Sequence, residues 1–321
     1  MSEYVLGFDC GGTKTGVRLA SLAEVPVTEE EFSVGGMNVN SFGREEVLEH
    51  LVSAYEQIGA EKLSKVRAIC YGAAGISNPL TREVFLEGTR RSYVLMGLDP
   101  RKAPLPLLIG DHQAALYGAH GGKDGMILIA GTGSICCGHA REGGEDGPML
   151  EARCGGFGHL IDDGGSGYAL GRDVLSLIVR AEDGRIPPTA MRRPVFEQLG
   201  IDSVQELIRF VYDPSTGKKD IAALAPALET GLAAGEKAAF EVLEKEAGEL
   251  AELVVPVARS LKLEEGYLTF CGSVLLKSSR MAEAVRKQLS ERLPGVKTVP
   301  ARYDAAFGAC LAALRQLKKN Y

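Results

Sequence analysis

Apolar positions along the chain fall in short runs that end on glycine. YVLGFD (4–9) reads as a buried strand closed by a glycine turn, and TGVRLASL alternates as its hairpin partner. REEVLEHLVSAYEQIG (44–59) carries apolar residues at helical spacing and stops at Gly59. KVRAICYGAAG (65–75) is a further buried strand, and PLLIGD (106–111) is a short apolar run that delivers an aspartate at its end. HQAALYGAHGG follows as a helix stopped by Gly121 and Gly122. GMILIAGTGSICCGHA (125–140) then repeats the opening design of strand, glycine turn and strand. A glycine-rich acidic loop feeds a helix at GYALGRDVLSLIVRAE, and residues 181 to 260 are rich in the helix formers Ala, Leu and Glu. GYLTFCGSV (266–274) is a strand ending at Gly272-Ser273, SRMAEAVRKQLSERL (279–293) an amphipathic helix, and KTVPARYDAAFGACLAALRQLKK a short strand, a turn and a helix.

The repeated design predicts an α/β protein of two domains, which a length of 321 residues also favours. The change falls near 118 to 124, giving domains of 1–119 and 120–321. The second carries a helical insert at about 180–260, and the C-terminal helix packs back on the first. No apolar run reaches the roughly 18 to 20 residues of a membrane span, and MSEYVLGFD lacks the features of a signal peptide. A cytoplasmic protein without membrane contact is expected. A net charge of −6 offers no basic footprint for nucleic acid. Seven cysteines, an odd number, read as free thiols of a reducing compartment. Cys136 and Cys137 are adjacent in a strand and point to opposite faces, so they are poor partners for one metal.

Candidate chemistry lies in the glycine turns. Taken alone, DCGGT is explained as a hairpin turn that needs positive φ. Two such hairpins, with an aspartate at a strand end between them, also fit phosphate: backbone N–H groups without side chains approach its oxygens closely. Gly11, Gly12 and Thr13, flanked by Lys14, form the first turn, and Gly131, Thr132, Gly133 and Ser134 the second. Asp9 beside the first turn suits Mg²⁺ held through water. The G-x-x-x-x-G-K-[ST] pattern is absent, so the site is a hairpin type.

FDCGGTKT, LLIGDHQAAL, ILIAGTGSIC, CGGFGHLIDDGGSGYALGR, TFCGSVLLKS and YDAAFGACLAAL, in this order, resemble the BadF/BadG/BcrA/BcrD-type ATPase family of the actin, hexokinase and Hsp70 superfamily. Within it the chain is most similar to the N-acetylglucosamine kinases. The resemblance implies two ribonuclease-H-like domains around a nucleotide and sugar cleft, with ATP and Mg²⁺ as cofactors. It implies transfer of phosphate to an amino sugar at the 6-hydroxyl, and a homodimer. Asp111 matches the catalytic base, for which a helix N-cap is the plain alternative. Gly272 and Ser273 match the adenosine loop, and Ala222 a nucleotide contact on a helix. Asn38, with Asn40 as its rival, and Gly156, Phe157, Gly158 and Asp163 match sugar-binding positions.

Two positions depart from the kinase pattern. Gly164 replaces a glutamate, and Ile135 replaces an asparagine that touches the sugar in the animal enzymes. Glucosamine and N-acetylmuramic acid therefore stay open as acceptors. An iron–sulfur activator of a dehydratase or reductase, using Cys136, Cys137 and Cys154, is the rival of another class. A non-catalytic sugar sensor is a further one.

Overall fold

The computed structural model describes residues 2–23, 26–39, 41–76, 78–143 and 147–319. The chain divides into two compact units, Met1–Lys123 with Pro300–Tyr321, and Asp124–Val299. In the first, strands β1 (Tyr4–Cys10), β2 (Lys14–Ser21), β3 (Thr28–Gly35), β4 (Val66–Ala73) and β5 (Leu107–Ile109) form a sheet ordered β3-β2-β1-β4-β5. In the second, β6 (Gly125–Ala130), β7 (Ser134–Arg141), β8 (Met149–Gly155), β9 (Tyr267–Cys271) and β10 (Lys297–Thr298) are ordered β10-β9-β6-β7-β8. Each sheet is an antiparallel three-strand meander whose first strand also pairs in parallel with the fourth. The two orders are the same topology, so the duplication visible in the glycine hairpins extends to all five strands.

β1 is apolar at nearly every position because both faces of its sheet are covered. Leu6, Phe8 and Cys10 join Leu48, Leu51 and Tyr55 of the Arg44–Ile58 helix in one cluster. Val5 joins Phe307, Cys310 and Leu314 of the Ala305–Lys319 helix on the opposite face. Gly7 sits under that helix, where a Cβ would lie 2.3 Å from the Ala306 carbonyl oxygen. The terminal helix thus belongs to the first unit and seats directly on the strand that carries Asp9. In the second unit, Met126, Leu128, Ala130 and Cys136 share a core with Leu250, Val254 and Val257 of the Lys237–Leu261 helix. Helices fill the stretch from Gly167 to Leu261, between β8 and β9.

The hydrophobic pattern does not single out β3 (TEEEFSVG) or β8 (MLEARCG). Both are edge strands, half-exposed and rich in charge. Such charges keep an open edge from pairing with another chain, and they also hide the strand from apolar periodicity. Among the described residues no helix is long and apolar enough to cross a membrane.

Seating a helix on Gly7 leaves no room for a methyl group. Gly7→Ala is expected to destabilise the protein by about 1–3 kcal/mol, read as a lower urea midpoint. An unchanged midpoint would mean that the terminal helix is not packed on β1.

Candidate active site

In the first unit β1 delivers Asp9 at its end, opposite Gly16 of β2. The turn that follows is closed by Gly11 N–H donating to the Asp9 carbonyl at 3.1 Å, and by Met37 N–H donating to the Gly11 carbonyl at 3.1 Å. Neither Gly11 nor Gly12 has positive φ, which corrects the expectation that the turn demands it. Gly11 is required for space: a Cβ there would lie 2.5 Å from the Lys14 carbonyl oxygen. Gly12 meets nothing closer than Ser41 Oγ at 3.6 Å, with Asn38 Nδ2 at 3.9 Å. Asn38 thus lies beside the turn, whereas Asn40 lies outside the described residues.

Asp9 is an unusually weak acid for its type. Burial, reinforced by the carboxylates of Asp111 and Asp304 and partly offset by Lys14, pushes its pKa from 3.8 up to about 6. A carboxyl so placed gains from a cation, which fits Mg²⁺. Among the described residues no three His, Cys, Asp or Glu are grouped to hold a metal ion directly.

Asp111 is the first residue of the Asp111–His120 helix, not its cap. Gly110 occupies the cap position, and its N–H donates to Gln113 Oε1 at 2.8 Å. A Cβ at Gly110 would lie 2.4 Å from His112 Cε1, so the glycine makes room for that ring. Asp111 is exposed, and its Oδ1 accepts the His112 N–H at 2.8 Å with His112 Nδ1 at 3.3 Å. The bond from the His112 ring holds the Asp111 carboxyl below the usual carboxylate range. It is therefore ionised at neutral pH and able to accept a proton.

In the second unit the turn between β6 and β7 has the same character. Gly131 lacks positive φ and a Cβ there would meet nothing within 4 Å, so the fold itself does not require glycine at that position. A closely approaching ligand would give that glycine a reason. The turn is laced to the loop after β8. Gly167 N–H donates to the Gly131 carbonyl at 2.7 Å, and Ser134 Oγ to the Gly164 carbonyl at 2.7 Å. Asp163, buried and at φ 64°, accepts the Ser134 N–H through Oδ1 at 3.2 Å. Its carboxylate thus works inside the loop, bracing the turn. Gly156 and Gly158, both at positive φ, flank Phe157, a residue 67% exposed.

Behind the turn lies a cavity of about 350 Å³ whose lining includes Gly131, Thr132, Ala222 and Ser273. Four of the residues expected to bind nucleotide are thus brought together from three separate segments. Gly272, at φ 84°, packs against Ala130, where a Cβ would lie 2.3 Å from the carbonyl oxygen. That contact starts the Ser273–Lys277 helix at the cavity wall. Leu170, Leu243 and Met281 make much of the lining apolar, and Lys219 and Lys277 add charge. The volume is in the range of small-molecule sites.

Motif spacing does not reveal the lysines, nor Glu246. The Glu246 carboxylate is buried, accepts the Gly165 N–H at 2.5 Å and pairs with Lys245 at 2.8 Å. The cysteines behave as expected of their strand: Cys136 faces Cys154 across β7 and β8, while Cys137 pairs with Arg153. Burial pushes the Cys136 thiol well up and the Cys154 thiol up, away from the thiolate that a cluster needs.

A model of the BadF/BadG/BcrA/BcrD ATPase family matches residues 6–313. An N-acetylmuramic acid/N-acetylglucosamine kinase of Clostridium acetobutylicum is 32% identical over 97% of this chain and 98% of its own length. An N-acetyl-D-glucosamine kinase of Dictyostelium discoideum is 28% identical over 98% and 99%. A solved structure from Chromobacterium violaceum, provisionally named an N-acetylglucosamine kinase, superposes with a TM-score of 0.69 at 25% identity, covering 97% of this chain and 99% of that one.

The raised pKa of Asp9 has a thermodynamic consequence. The folded state holds a proton that the unfolded state has lost between pH 3.8 and about 6, so stability falls as pH rises through that window. Asp9→Asn is expected to be more stable than the parent at pH 8 by on the order of 1–2 kcal/mol, and equal to it near pH 4. Thermal unfolding at the two pH values reads this. A variant less stable at pH 8 would show that the carboxylate is instead held by a favourable partner.

Proposed function

The chain belongs to the BadF/BadG/BcrA/BcrD ATPase family, and from that premise we propose an ATP-dependent kinase whose acceptor is an amino sugar, first of all N-acetylglucosamine. One observation carries the reading. Gly131, Thr132, Ala222 and Ser273 converge on one cavity beside a turn whose glycine the fold does not need. Relatives over nearly the whole chain are named as kinases of N-acetylglucosamine and N-acetylmuramic acid.

In this mechanism the apolar wall of the cavity takes the base and ribose, and the Gly131–Ser134 turn of one unit and the Gly11–Thr13 turn of the other each offer N–H and hydroxyl donors suited to phosphate. Lys14 adds positive charge on that side. Asp9 would hold Mg²⁺ through water, and the ion would supply positive charge against the phosphates. Asp111 accepts the proton of the sugar hydroxyl as its oxygen bonds to the γ-phosphorus. The bond from that phosphorus to the β-bridging oxygen breaks, and ADP leaves. Asn38, Gly156, Phe157 and Gly158 orient the sugar, and Asp163 keeps the turn in register with them. The reading includes a cytoplasmic homodimer with no nucleic-acid partner, supported by family likeness and by the negative net charge.

A panel of sugars with Mg²⁺ and ATP, followed by ADP release, tests the activity. N-Acetylglucosamine is expected to stimulate release well above the sugar-free background, and no stimulation by any amino sugar would overturn the reading. Asp111→Asn is expected to lower kcat by about 10²–10⁴-fold with nucleotide binding retained. Unchanged turnover would remove Asp111 from its role.

A further inference from the structure

Arg153 is a cation without a counter-charge. Its Nη2 lies 3.5 Å from the Gly155 carbonyl, its guanidinium is 5.1 Å from the centroid of the Phe157 ring, and among the described residues it enters no ion pair. The nearby acids are otherwise engaged. Asp163 is buried on Ser134, Asp162 Oδ2 accepts the Phe157 N–H at 3.0 Å, and Glu151 has another partner.

Strand register shows which way Arg153 faces. Cys137 pairs with Arg153 and Ile135 with Gly155, so Ile135, Cys137 and Arg153 lie on one face of the β7–β8 ribbon. Cys136 and Cys154 turn to the other, against the core. By resemblance to the animal kinases, Ile135 stands where an asparagine would touch the sugar. Here its side chain packs on Gly156, where a Cβ would lie 2.9 Å from Ile135 Cδ1. The face that loses an amide's hydrogen bonds thus presents an unpaired guanidinium, steadied by an exposed aromatic ring. Stacking on that ring leaves the in-plane N–H donors of the guanidinium free for a two-pronged bond to a carboxylate.

We infer that Arg153 and Phe157 form a carboxylate subsite, so that the acceptors of this enzyme include an amino sugar bearing an acidic ether substituent. The inference rests on the kinase reading for the position of the sugar. N-Acetylmuramic acid and N-acetylglucosamine make the paired probe, since the first is the second with a lactic acid ether.

Steady-state kinetics of both sugars on the parent, Arg153→Ala and Arg153→Lys reads the subsite. Arg153→Ala is expected to lower the ratio of kcat/KM for the acidic over the neutral sugar by about tenfold or more, through KM. Arg153→Lys recovers part of it, since an ammonium keeps the charge without the fork. Calorimetric titration of the two sugars measures the same ratio without turnover. An equal loss for both sugars, or a parent that takes only the neutral one, overturns the inference. If neither sugar is phosphorylated but binding of the acidic one still depends on Arg153, the kinase reading falls and the subsite stands.

Discussion

The buried carboxylate of Glu246 holds the Gly165 N–H, and the geometry of the second unit's site follows from that bond. Burial of the charge is unfavourable and pushes the carboxyl up, while Lys245 and the Gly165 N–H pull it back. With Gly165 pinned to the Lys237–Leu261 helix, the preceding residues are set where Asp163 meets Ser134 N–H and Gly164 meets Ser134 Oγ. Gly167 then closes on Gly131. A turn that is to bind phosphate, as proposed for Gly131–Ser134, would need its donors aimed before the ligand arrives. Here the aim is set by a chain of bonds that begins in the core of the unit.

The first unit reaches a comparable end by charge. Asp111 and Asp304 both push Asp9 up, and the three are not equivalent. Asp304 is paired with Arg18 and caps the terminal helix by accepting the Phe307 N–H at 2.8 Å. Asp111 is ionised through His112. Asp9 is left with the unfavourable share, and Lys14 only partly relieves it. Environments that push neighbouring carboxyls apart in pKa suit one to bind a cation and another to take a proton.

Much was legible in the chain itself: the glycine-ended apolar runs, their repetition, and the ordered motifs that identify the family. These signals are local, since a strand buried on both faces must be apolar and a turn approached by phosphate must lack side chains. The charged edge strands β3 and β8 were not legible, because an edge is defined by its neighbours and not by its own periodicity. Tertiary structure alone decided that Asp163 works within the loop, that Gly110 and not Asp111 caps its helix, and that Glu246 and the lysines matter. It also decided that Gly11 serves space and not φ. Each depends on a partner far along the chain or on the path of the backbone, and residue identity at one position encodes neither.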